Sequence, residues 1–512
     1  MAMNEWAPCV NAGAGQFAAS LAGRSSAAWD EQADVVVIGY GFAGVAAAIT
    51  AHDAGAKVLI LEKAPEAHKG GNSRVSGNIV FWPDDVEKAK AYFKGLTGPY
   101  GDNISEEMIQ IWAAEMHANR TWLESLGMKP VALPGAQSAE FPELDGSDCV
   151  RILVHGEGSV GDERLWRGVT EPAMAARRIR SLYETGAIRL VRDDGEIVGV
   201  IADRRGKTLA VKANRAVVLA CGGFENNPAM IHTYLTGLPH IYPSGTPYNT
   251  GDGVRMALEV GANLWHMSNI SGPVFFFKAP GHPTSGWVNT PHAMSYMFVA
   301  GDGARFTAEG RQAMGSDRHG KIKYHGVWMQ QPAPAPIHFI FDENVRKAGP
   351  LGRAHADWDV GHGDRYAWSD DNLREVEKGW IRKAGSVHDL AGLIQVPPDA
   401  LEASVARFNG FADTGKDADF GRAPASLAAL RTPPYYAIEL TPTFINTQGG
   451  PRRNKDAQVI GADGRLIPRL YSAGELGSIY AFLYQGGGNI GECFAFGRIA
   501  GPNAAREEPL PL

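Results

Sequence analysis

One short segment constrains the fold more than any other: residues 34–44 read DVVVIGYGFAG. The apolar run from Val35 to Ile38 indicates a buried parallel strand. The glycines of a GxGxxG motif follow it, and the alanine-rich stretch VAAAITAHDAG after them predicts a helix. A second apolar run, KVLILEK, ends in an acid, Glu62, about 20 residues after the first glycine. Strand, glycines, helix, strand and acid in this order predict a dinucleotide-binding βαβ unit.

Each glycine of this unit has a physical role. Gly39 makes the tight turn, Gly41 lets the backbone approach a pyrophosphate, and Gly44 lets the helix pack on the strand. The N-terminus of the helix stabilises the phosphate charge, and the carboxylate of Glu62 binds a ribose hydroxyl. An ordinary βαβ turn is the alternative, and the motif alone does not identify the dinucleotide.

A polar, glycine-rich segment follows at residues 68–83, HKGGNSRVSGNIVFWP. Its amides and hydroxyls are of the kind that line a flavin ring and its phosphates. A surface loop has the same composition, so this segment alone leaves both interpretations open.

Composition and charge exclude several classes of function. The net charge is 49 − 56 = −7, which gives no reason to expect nucleic acid as a partner. No run of 18 apolar residues occurs, so no membrane span is predicted. The four cysteines have neither CxxC nor histidine-paired spacing, so we predict no metal site and no disulfide framework. The first 30 residues lack a basic start followed by an apolar core, which favours a cytoplasmic protein with an N-terminal arm.

Two further blocks are rich in glycine. Residues 214–227, NRAVVLACGGFENN, combine a predicted strand with a double-glycine turn. Residues 446–501 contain NTQGGP, a short strand ending in SAGE, and YQGGGN leading into a helix that ends in FGRIAG. With GGNSRVSG and GDG at 251–253, these pieces occur in a fixed order along the chain.

These motifs together resemble the soluble FAD enzymes of the fumarate reductase and 3-ketosteroid dehydrogenase superfamily, from about residue 33 onward. The resemblance implies an α/β fold, with a Rossmann-like FAD-binding domain and an inserted α+β capping domain. The FAD-binding domain would comprise residues 1–271 and 432–512, with a helical insertion at about 86–185, and the cap 272–431. Proline-containing segments mark both boundaries. No histidine lies between Gly70 and Gly77, so we predict non-covalent FAD.

The resemblance also assigns residues to the cofactor. It implies that Glu62 binds the adenosine, that Glu475 binds the ribityl chain, and that the final helix N-terminus faces the flavin pyrimidine. The cofactor-binding residues expected on this basis are Gly39, Gly41, Phe42, Ala43, Gly44, Glu62, Lys63, Gly71, Asn72, Ser73, Ser76, Gly77, Gly222, Asp252, Glu475, Asn489 and Ile490.

Two departures argue against a dicarboxylate substrate. Fumarate reductases carry Asn-Arg-Leu-Gly-Gly-Asn where this chain has YQGGGN, so Gln485 stands at the arginine position. Their His-His-Thr stretch is here Ile445-Asn446-Thr447. The ketosteroid dehydrogenases fit better, because they share Asn-Thr-x-Gly-Gly-Pro and the tyrosine before the glycine-rich turn, here Tyr484.

The resemblance implies that the protein desaturates a cyclic ketone. The hydroxyl of Tyr484 and the backbone N–H of Gly488 would both donate to the carbonyl, as in an oxyanion hole. A base would remove the neighbouring proton, and the β-carbon would pass hydride to flavin N5. The family's base tyrosine does not follow RFTAE at residues 305–309, which leaves the base open. The candidates nearest that segment or the pocket are Arg318, His319, Tyr324, Tyr296 and Tyr480.

The substrate, the direction and the electron partner stay open at this stage. A 3-ketosteroid suits the aromatic residues Phe275, Phe276, Phe277, Trp82 and Trp328. A smaller oxo-cyclohexane carboxylate suits an arginine such as Arg318. The same residues serve an enone or enoate reductase, and an electron-transfer flavoprotein is the non-enzymatic alternative. No second dinucleotide motif and no CxxCH is present, so we expect an external electron acceptor: a quinone, a carrier protein or oxygen.

Overall fold

The computed structural model describes residues 29–133, 139–157, 161, 163–238, 240–281, 285–286, 288, 291–309, 318–352 and 367–510. The predicted N-terminal arm lies outside the described residues, apart from its last two. The α-helices, numbered along the chain, are α1 Phe42–Asp53, α2 Gly71–Val75, α3 Val86–Thr97, α4 Glu106–Ser125, α5 Glu171–Arg177, α6 Pro228–Tyr234, α7 Asp252–Glu259, α8 Glu343–Lys347, α9 Leu373–Glu377, α10 Val387–Leu393, α11 Pro398–Thr414 and α12 Gly488–Arg506.

The strands fall into several sheets. They are β1 Glu31–Ile38, β2 Val58–Leu61, β3 Val80–Pro83, β4 Pro130–Ala132, β5 Val150–His155, β6 Arg180–Leu182, β7 Thr185–Asp193, β8 Glu196–Arg204, β9 Lys207–Leu219, β10 Tyr242–Pro243, β11 Leu264–Trp265, β12 Ile270–Ser271, β13 Val274–Phe277, β14 Tyr296–Ala300, β15 Lys321–Tyr324, β16 Val327–Gln330, β17 Ile337–Asp342, β18 Ile381–Ala384, β19 Tyr435–Phe444, β20 Asn446–Thr447, β21 Gly450–Pro451, β22 Gln458–Ile460 and β23 Leu466–Ser472.

The main sheet has the order β22-β23-β9-β1-β2-β6, with β7 and β8 joined to β9 as antiparallel strands. Strands β23, β9, β1 and β2 run parallel. Val35, Val36 and Val37 of β1 are fully buried, as the apolar run predicts. The carboxyl ends of these four strands meet at one edge, where α/β sheets bind their ligands. The α/β fold class is confirmed.

Helix α12 packs directly on α1, and small residues allow the close approach. A Cβ on Gly497 would lie 2.6 Å from the Cβ of Ala46, and one on Gly501 would clash with Thr50. At the start of α12, the fully buried Arg453 pairs with Glu492, which also accepts the N–H of Ile479 at 2.8 Å. This pair fixes the segment that leads into YQGGGN.

A second sheet of six strands draws β10, β13, β14, β17, β18 and β19 from residues 242–444. This range contains the predicted cap at 272–431 and extends beyond it on both sides. The predicted insertion at 86–185 holds helices α3, α4 and α5, together with strands β4, β5 and β6, the last of which pairs with β2 of the main sheet. The division of the chain into two domains stays a prediction.

The described part of the chain contains neither a membrane-spanning helix nor a cluster of metal ligands. No helix there is long and apolar enough to cross a membrane. No cluster of histidine, cysteine, aspartate and glutamate side chains there has the grouping that a metal ion needs. The cytoplasmic location stays a prediction.

Candidate active site and cofactor cavity

A cavity of 1170 Å³ lies along the carboxyl edge of the main sheet. The turns after β1, β2, β9 and β23 contribute Gly39, Glu62, Cys221 and Glu475 to its wall. The cavity continues to Tyr484 in the YQGGGN turn, and side chains from the cap range close that end. Its size exceeds the 300–1000 Å³ of an ordinary ligand pocket, as expected if a dinucleotide and a substrate share it.

The end of the cavity beside β1 and β2 has the features of a nucleotide site. The buried carboxylate of Glu62 accepts the N–H of Tyr40 at 2.9 Å and that of Ala64 at 2.7 Å. Gly39 has φ +105°, and a Cβ there would lie 2.3 Å from the carbonyl oxygen of Ala220. Only glycine fits this turn without displacing the backbone.

The glycine-rich segment 68–83 packs against this turn. Helix α2 lies within it, and the Ser73 hydroxyl accepts the N–H of Phe42 at 2.9 Å. A Cβ on Gly41 would lie 3.2 Å from the Ser73 hydroxyl oxygen, so the two segments are in close contact. The N-terminus of α1 therefore faces the cavity between two glycine-rich turns, as a pyrophosphate requires.

The middle of the cavity is polar. The Glu475 carboxylate accepts amide N–H groups of Asn249 at 3.0 Å and Asn72 at 3.3 Å. Lys63 pairs with Asp252 at 2.8 Å, and both line the cavity. Along the cavity, a buried carboxylate is followed by a helix N-terminus and then by a polar section of amides and a second carboxylate. This arrangement fits FAD.

The far end of the cavity is built around Tyr484. Its hydroxyl oxygen accepts the N–H of Asn489, the second residue of α12, at 3.3 Å. Burial raises the pKa of Tyr484 well above its usual value, so the side chain is a neutral phenol at neutral pH. The phenol hydrogen is available as a donor, and the helix N–H behind it strengthens that donor.

His319 lies beside Tyr484, with ring centroids 5.0 Å apart and ring planes nearly perpendicular. Its Nδ1 lies 2.7 Å from Oε2 of Glu140, and both side chains are largely buried. Because the Glu140 carboxylate accepts the Nδ1–H of His319, the lone pair on Nε2 is the position that can accept a proton. His319 has φ +47°, an uncommon conformation for a residue other than glycine that concentrates at functional sites.

Gln485 holds Glu140 in place. Its Oε1 accepts the N–H of Glu140 at 3.0 Å and the Tyr92 hydroxyl at 2.7 Å. The Glu140 Oε1 in turn accepts the N–H of Gly486 at 2.8 Å. At the position where fumarate reductases carry an arginine, this chain therefore has a side chain that orients the Glu140–His319 pair.

The glycines of YQGGGN are explained by close contacts. A Cβ on Gly486 would lie 2.5 Å from Glu140 Oε1, and one on Gly488 would clash with the Tyr480 hydroxyl. The expectation that Gly488 supplies a second carbonyl donor does not hold in this structure, because its N–H donates to the Gln485 carbonyl at 2.8 Å. At this end of the cavity the Tyr484 hydroxyl thus remains as a candidate carbonyl donor, and the Gly488 N–H does not.

The candidate bases are separated by their positions. His319 and Arg318 line the cavity. Arg318 pairs with Glu143, and its guanidinium lies 4.9 Å from the Trp328 ring centroid. Tyr324 lies on the exposed β15–β16 hairpin, away from the cavity lining, with 60% of its surface exposed.

Tyr480 and Tyr296 are fully buried in hydrophobic clusters and do not line the cavity. The aromatic residues expected to contact a steroid are also absent from the lining: Phe275, Phe276, Phe277, Trp82 and Trp328.

The predicted cofactor residues come together with few exceptions. Those that line the cavity are Gly39, Gly41, Ala43, Glu62, Lys63, Gly71, Asn72, Ser73, Ser76, Gly77, Gly222, Asp252, Glu475, Asn489 and Ile490. Phe42 and Gly44 lie behind the lining. Phe42 packs 4.7 Å from Phe494, and a Cβ on Gly44 would clash with the Gly39 carbonyl, which confirms close packing of helix on strand.

Sequence reasoning missed Glu140, Asn249 and His292, which also line the cavity. Each of the three lies outside the motifs recognised in the sequence. Glu140 is recognised as a site residue only in the folded chain, where the Gly486 N–H and the His319 ring both hydrogen-bond to its carboxylate.

A model of the FAD binding domain family matches residues 34–490. The NADH:acrylate oxidoreductase of Vibrio harveyi is 28% identical over 572 residues, covering 96% of this chain and 53% of that protein. The chain thus spans about half the length of that relative. A fumarate reductase (cytochrome) of Shewanella frigidimarina is 29% identical over 501 residues, covering 92% of this chain and 77% of that protein.

The 3-oxosteroid 1-dehydrogenase of Mycobacterium tuberculosis H37Rv is 26% identical, covering 92% of this chain and 98% of that protein. Among solved structures, a 3-ketosteroid delta1-dehydrogenase from Sterolibacterium denitrificans superposes with a TM-score of 0.75. It is 22% identical, covers 93% of this chain and 99% of that chain, and supports the fold. With its cofactor cavity and a family match over most of its length, this chain belongs to the FAD binding domain family and is an FAD-dependent oxidoreductase.

Proposed function

We propose that the protein introduces a C=C bond next to the carbonyl of a cyclic ketone. The observation that carries the proposal is the end of the cavity, where a buried phenol and a carboxylate-held histidine lie side by side. Tyr484 and His319 have ring centroids 5.0 Å apart, so one small group can contact both. A ketone with an acidic neighbouring C–H needs this combination of donor and base.

Tyr484 polarises the ketone. Its neutral hydroxyl donates to the carbonyl oxygen, and the donor strengthens as negative charge develops on that oxygen. Because Asn489 N–H already donates to the phenol oxygen, the phenol hydrogen points away from the helix end. The positive end of the α12 dipole thus acts on the carbonyl through the phenol.

His319 removes the proton. With Nδ1–H donated to Glu140, Nε2 accepts the proton from the carbon next to the carbonyl. Glu140 then stabilises the imidazolium, and the proton passes to solvent. FAD, held by the residues that line the cavity, would supply the hydride acceptor for the adjacent carbon, and an external quinone, carrier protein or oxygen would take up the electrons.

The ring of the substrate would contact aliphatic side chains. Leu133, Ala139, Pro142 and Ile152 line the cavity near Glu140. Arg318 holds Glu143, so a substrate carboxylate would compete with that side chain. These contacts favour a neutral 3-ketosteroid, and a smaller oxo-cyclohexane carboxylate is the alternative substrate.

The reverse reaction, reduction of an enone or enoate, is the alternative. The same phenol and histidine serve it, with His319 then protonating the carbon. The acrylate and fumarate enzymes among the relatives act in that direction by name. Gln485 at the arginine position argues against a dicarboxylate.

Anaerobic mixing of the oxidised holoenzyme with saturated cyclic ketones tests the proposal. We expect bleaching of the flavin absorbance by one of them and formation of the α,β-unsaturated ketone. The panel contains 3-ketosteroids and oxo-cyclohexane carboxylates. If no ketone bleaches the flavin, while an enone or enoate reoxidises the reduced enzyme, the reaction is a reduction and the proposal is wrong.

Replacement of Glu62 by alanine tests the nucleotide end. The variant loses the carboxylate that we propose binds the ribose, and it leaves the N–H groups of Tyr40 and Ala64 without their acceptor. A hydrogen bond to a charged group contributes about 1.5–3 kcal/mol, so we expect the Kd for FAD to rise about tenfold to a hundredfold. Titration of the apoprotein with FAD measures this Kd.

The matched control is Glu66→Ala, which removes an exposed carboxylate four positions along the same segment. It should bind FAD as the wild type does. Equal affinity of Glu62→Ala and wild type would place the ribose elsewhere.

A further inference from the structure

Two carboxyl groups meet beside the cofactor cavity, those of the fully buried Glu225 and the partly exposed Glu475, and the proposed reaction uses neither. Glu475 lines the cavity, and Glu225 lies behind it in the turn after β9. The amide of Asn249 hydrogen-bonds to Glu475 at 3.0 Å and also reaches Glu225. Glu225 accepts the N–H of Thr447 at 2.9 Å through Oε1, while its buried Oε2 has no partner among the described residues.

No cation of the described cavity wall is paired with these carboxyls. Lys63 holds Asp252, and at the far end Arg318 holds Glu143 and His319 holds Glu140.

The other titratable groups that face the pair are uncharged. Tyr484 and Cys493 feel the charge of Glu475, but burial raises the pKa values of both. Cys221, in the turn that leads to Glu225, has a pKa raised by burial to about 12. Asn72, Asn249 and Thr447 supply only neutral hydrogen bonds.

Two largely buried carboxylates without a cation cannot both be ionised at low cost. Burial raises the pKa of Glu225 to about 7, and burial together with the charge of Glu225 raises that of Glu475 well above its usual value. The pair therefore titrates as a unit. The unpartnered Oε2 of Glu225 is the natural position for a proton.

We propose that Glu225 is a positioning residue that acts through Glu475, and that the pair takes up a proton when the FAD is reduced. Reduction by two electrons and one proton leaves a negative charge on the cofactor. That charge raises the proton affinity of a nearby carboxyl group. One proton from solvent then enters the pair, and it leaves again when the acceptor removes the two electrons. The inference requires bound FAD and is independent of which ketone or enone reacts.

The test is the reduction potential of the holoenzyme as a function of pH. In the wild type near neutral pH, we expect the slope of the reduction potential against pH to correspond to the uptake of two protons per two electrons. Glu225→Gln keeps the shape of the side chain and removes its titration, so its slope should fall to half, with one proton per two electrons. Glu171→Gln, at a surface carboxylate paired with Lys69, should keep the wild-type slope.

A wild-type slope of one proton, or an unchanged slope in Glu225→Gln, would overturn the proposal. A second measurement needs no variant. The infrared difference spectrum between the oxidised and reduced wild-type holoenzyme should contain a carboxylic acid C=O band that shifts in D₂O. Absence of this band would equally overturn the proposal, even if Glu225→Gln does not fold.

Discussion

Tyr484→Phe should lower kcat by about a hundredfold to a thousandfold, the usual effect of removing one donor to a developing oxyanion. The variant keeps the ring, which packs at 5.0 Å from His319 and 5.3 Å from Tyr480, so the cavity wall is preserved. It loses the side-chain hydroxyl that lies beside His319. Because the interaction strengthens in the transition state, kcat should fall more than the affinity for the ketone.

The measurement is single-turnover reduction of the flavin by a ketone that the wild type accepts. Tyr324→Phe is the matched control, since it removes the same hydroxyl from an exposed hairpin tyrosine. The control should react at the wild-type rate. Full activity of Tyr484→Phe, with FAD bound, would remove the phenol from the reaction.

The nucleotide end of the site was predictable from sequence because its signal is local. Strand, turn and helix between residues 31 and 53 are continuous in the chain, and Glu62 follows at the end of the next strand. Gly39 and Gly44 are required by close backbone contacts with Ala220 and Gly39, and Gly41 lies against the Ser73 hydroxyl. A tight turn before a helix N-terminus requires glycines at fixed spacing, so the local sequence alone predicts it.

The substrate end was predictable only in part, because three distant segments build it. Tyr484, Glu140 and His319 come from the final turn, the insertion and the cap range. No spacing in the sequence relates them. Tyr480 and Tyr484 are both tyrosines and lie close together in the sequence, yet Tyr484 lines the cavity and Tyr480 does not. Burial of a side chain is a tertiary property, so the candidate bases could be named but not ranked.

The interpretation of YQGGGN shows the same limit. From sequence, the glycines indicate close backbone approach, and a free N–H at Gly488 is a reasonable inference. In the folded protein that N–H is used within the turn, and the glycines instead admit Glu140 and Tyr480. The contact partners, which lie far away in the chain, decide the role.

His319→Ala should lower the rate of flavin reduction by about a hundredfold to ten-thousandfold, the range that general-base catalysis contributes. The ketone would still be polarised by Tyr484, but no group would accept the proton. A deuterium label next to the carbonyl should slow the variant more than the wild type, because proton removal becomes the slower step. Added imidazole should restore part of the rate by occupying the space of the lost ring.

Glu140→Gln separates the base from the residue that orients it. The amide can still hydrogen-bond to the Gly486 N–H and to the ring, so the local fold is kept. It cannot stabilise an imidazolium, so we expect a rate between those of the wild type and His319→Ala, with unchanged FAD affinity. If His319→Ala reduces its flavin as fast as the wild type, the base is another residue. If Glu140→Gln alone has no effect, His319 acts without its carboxylate.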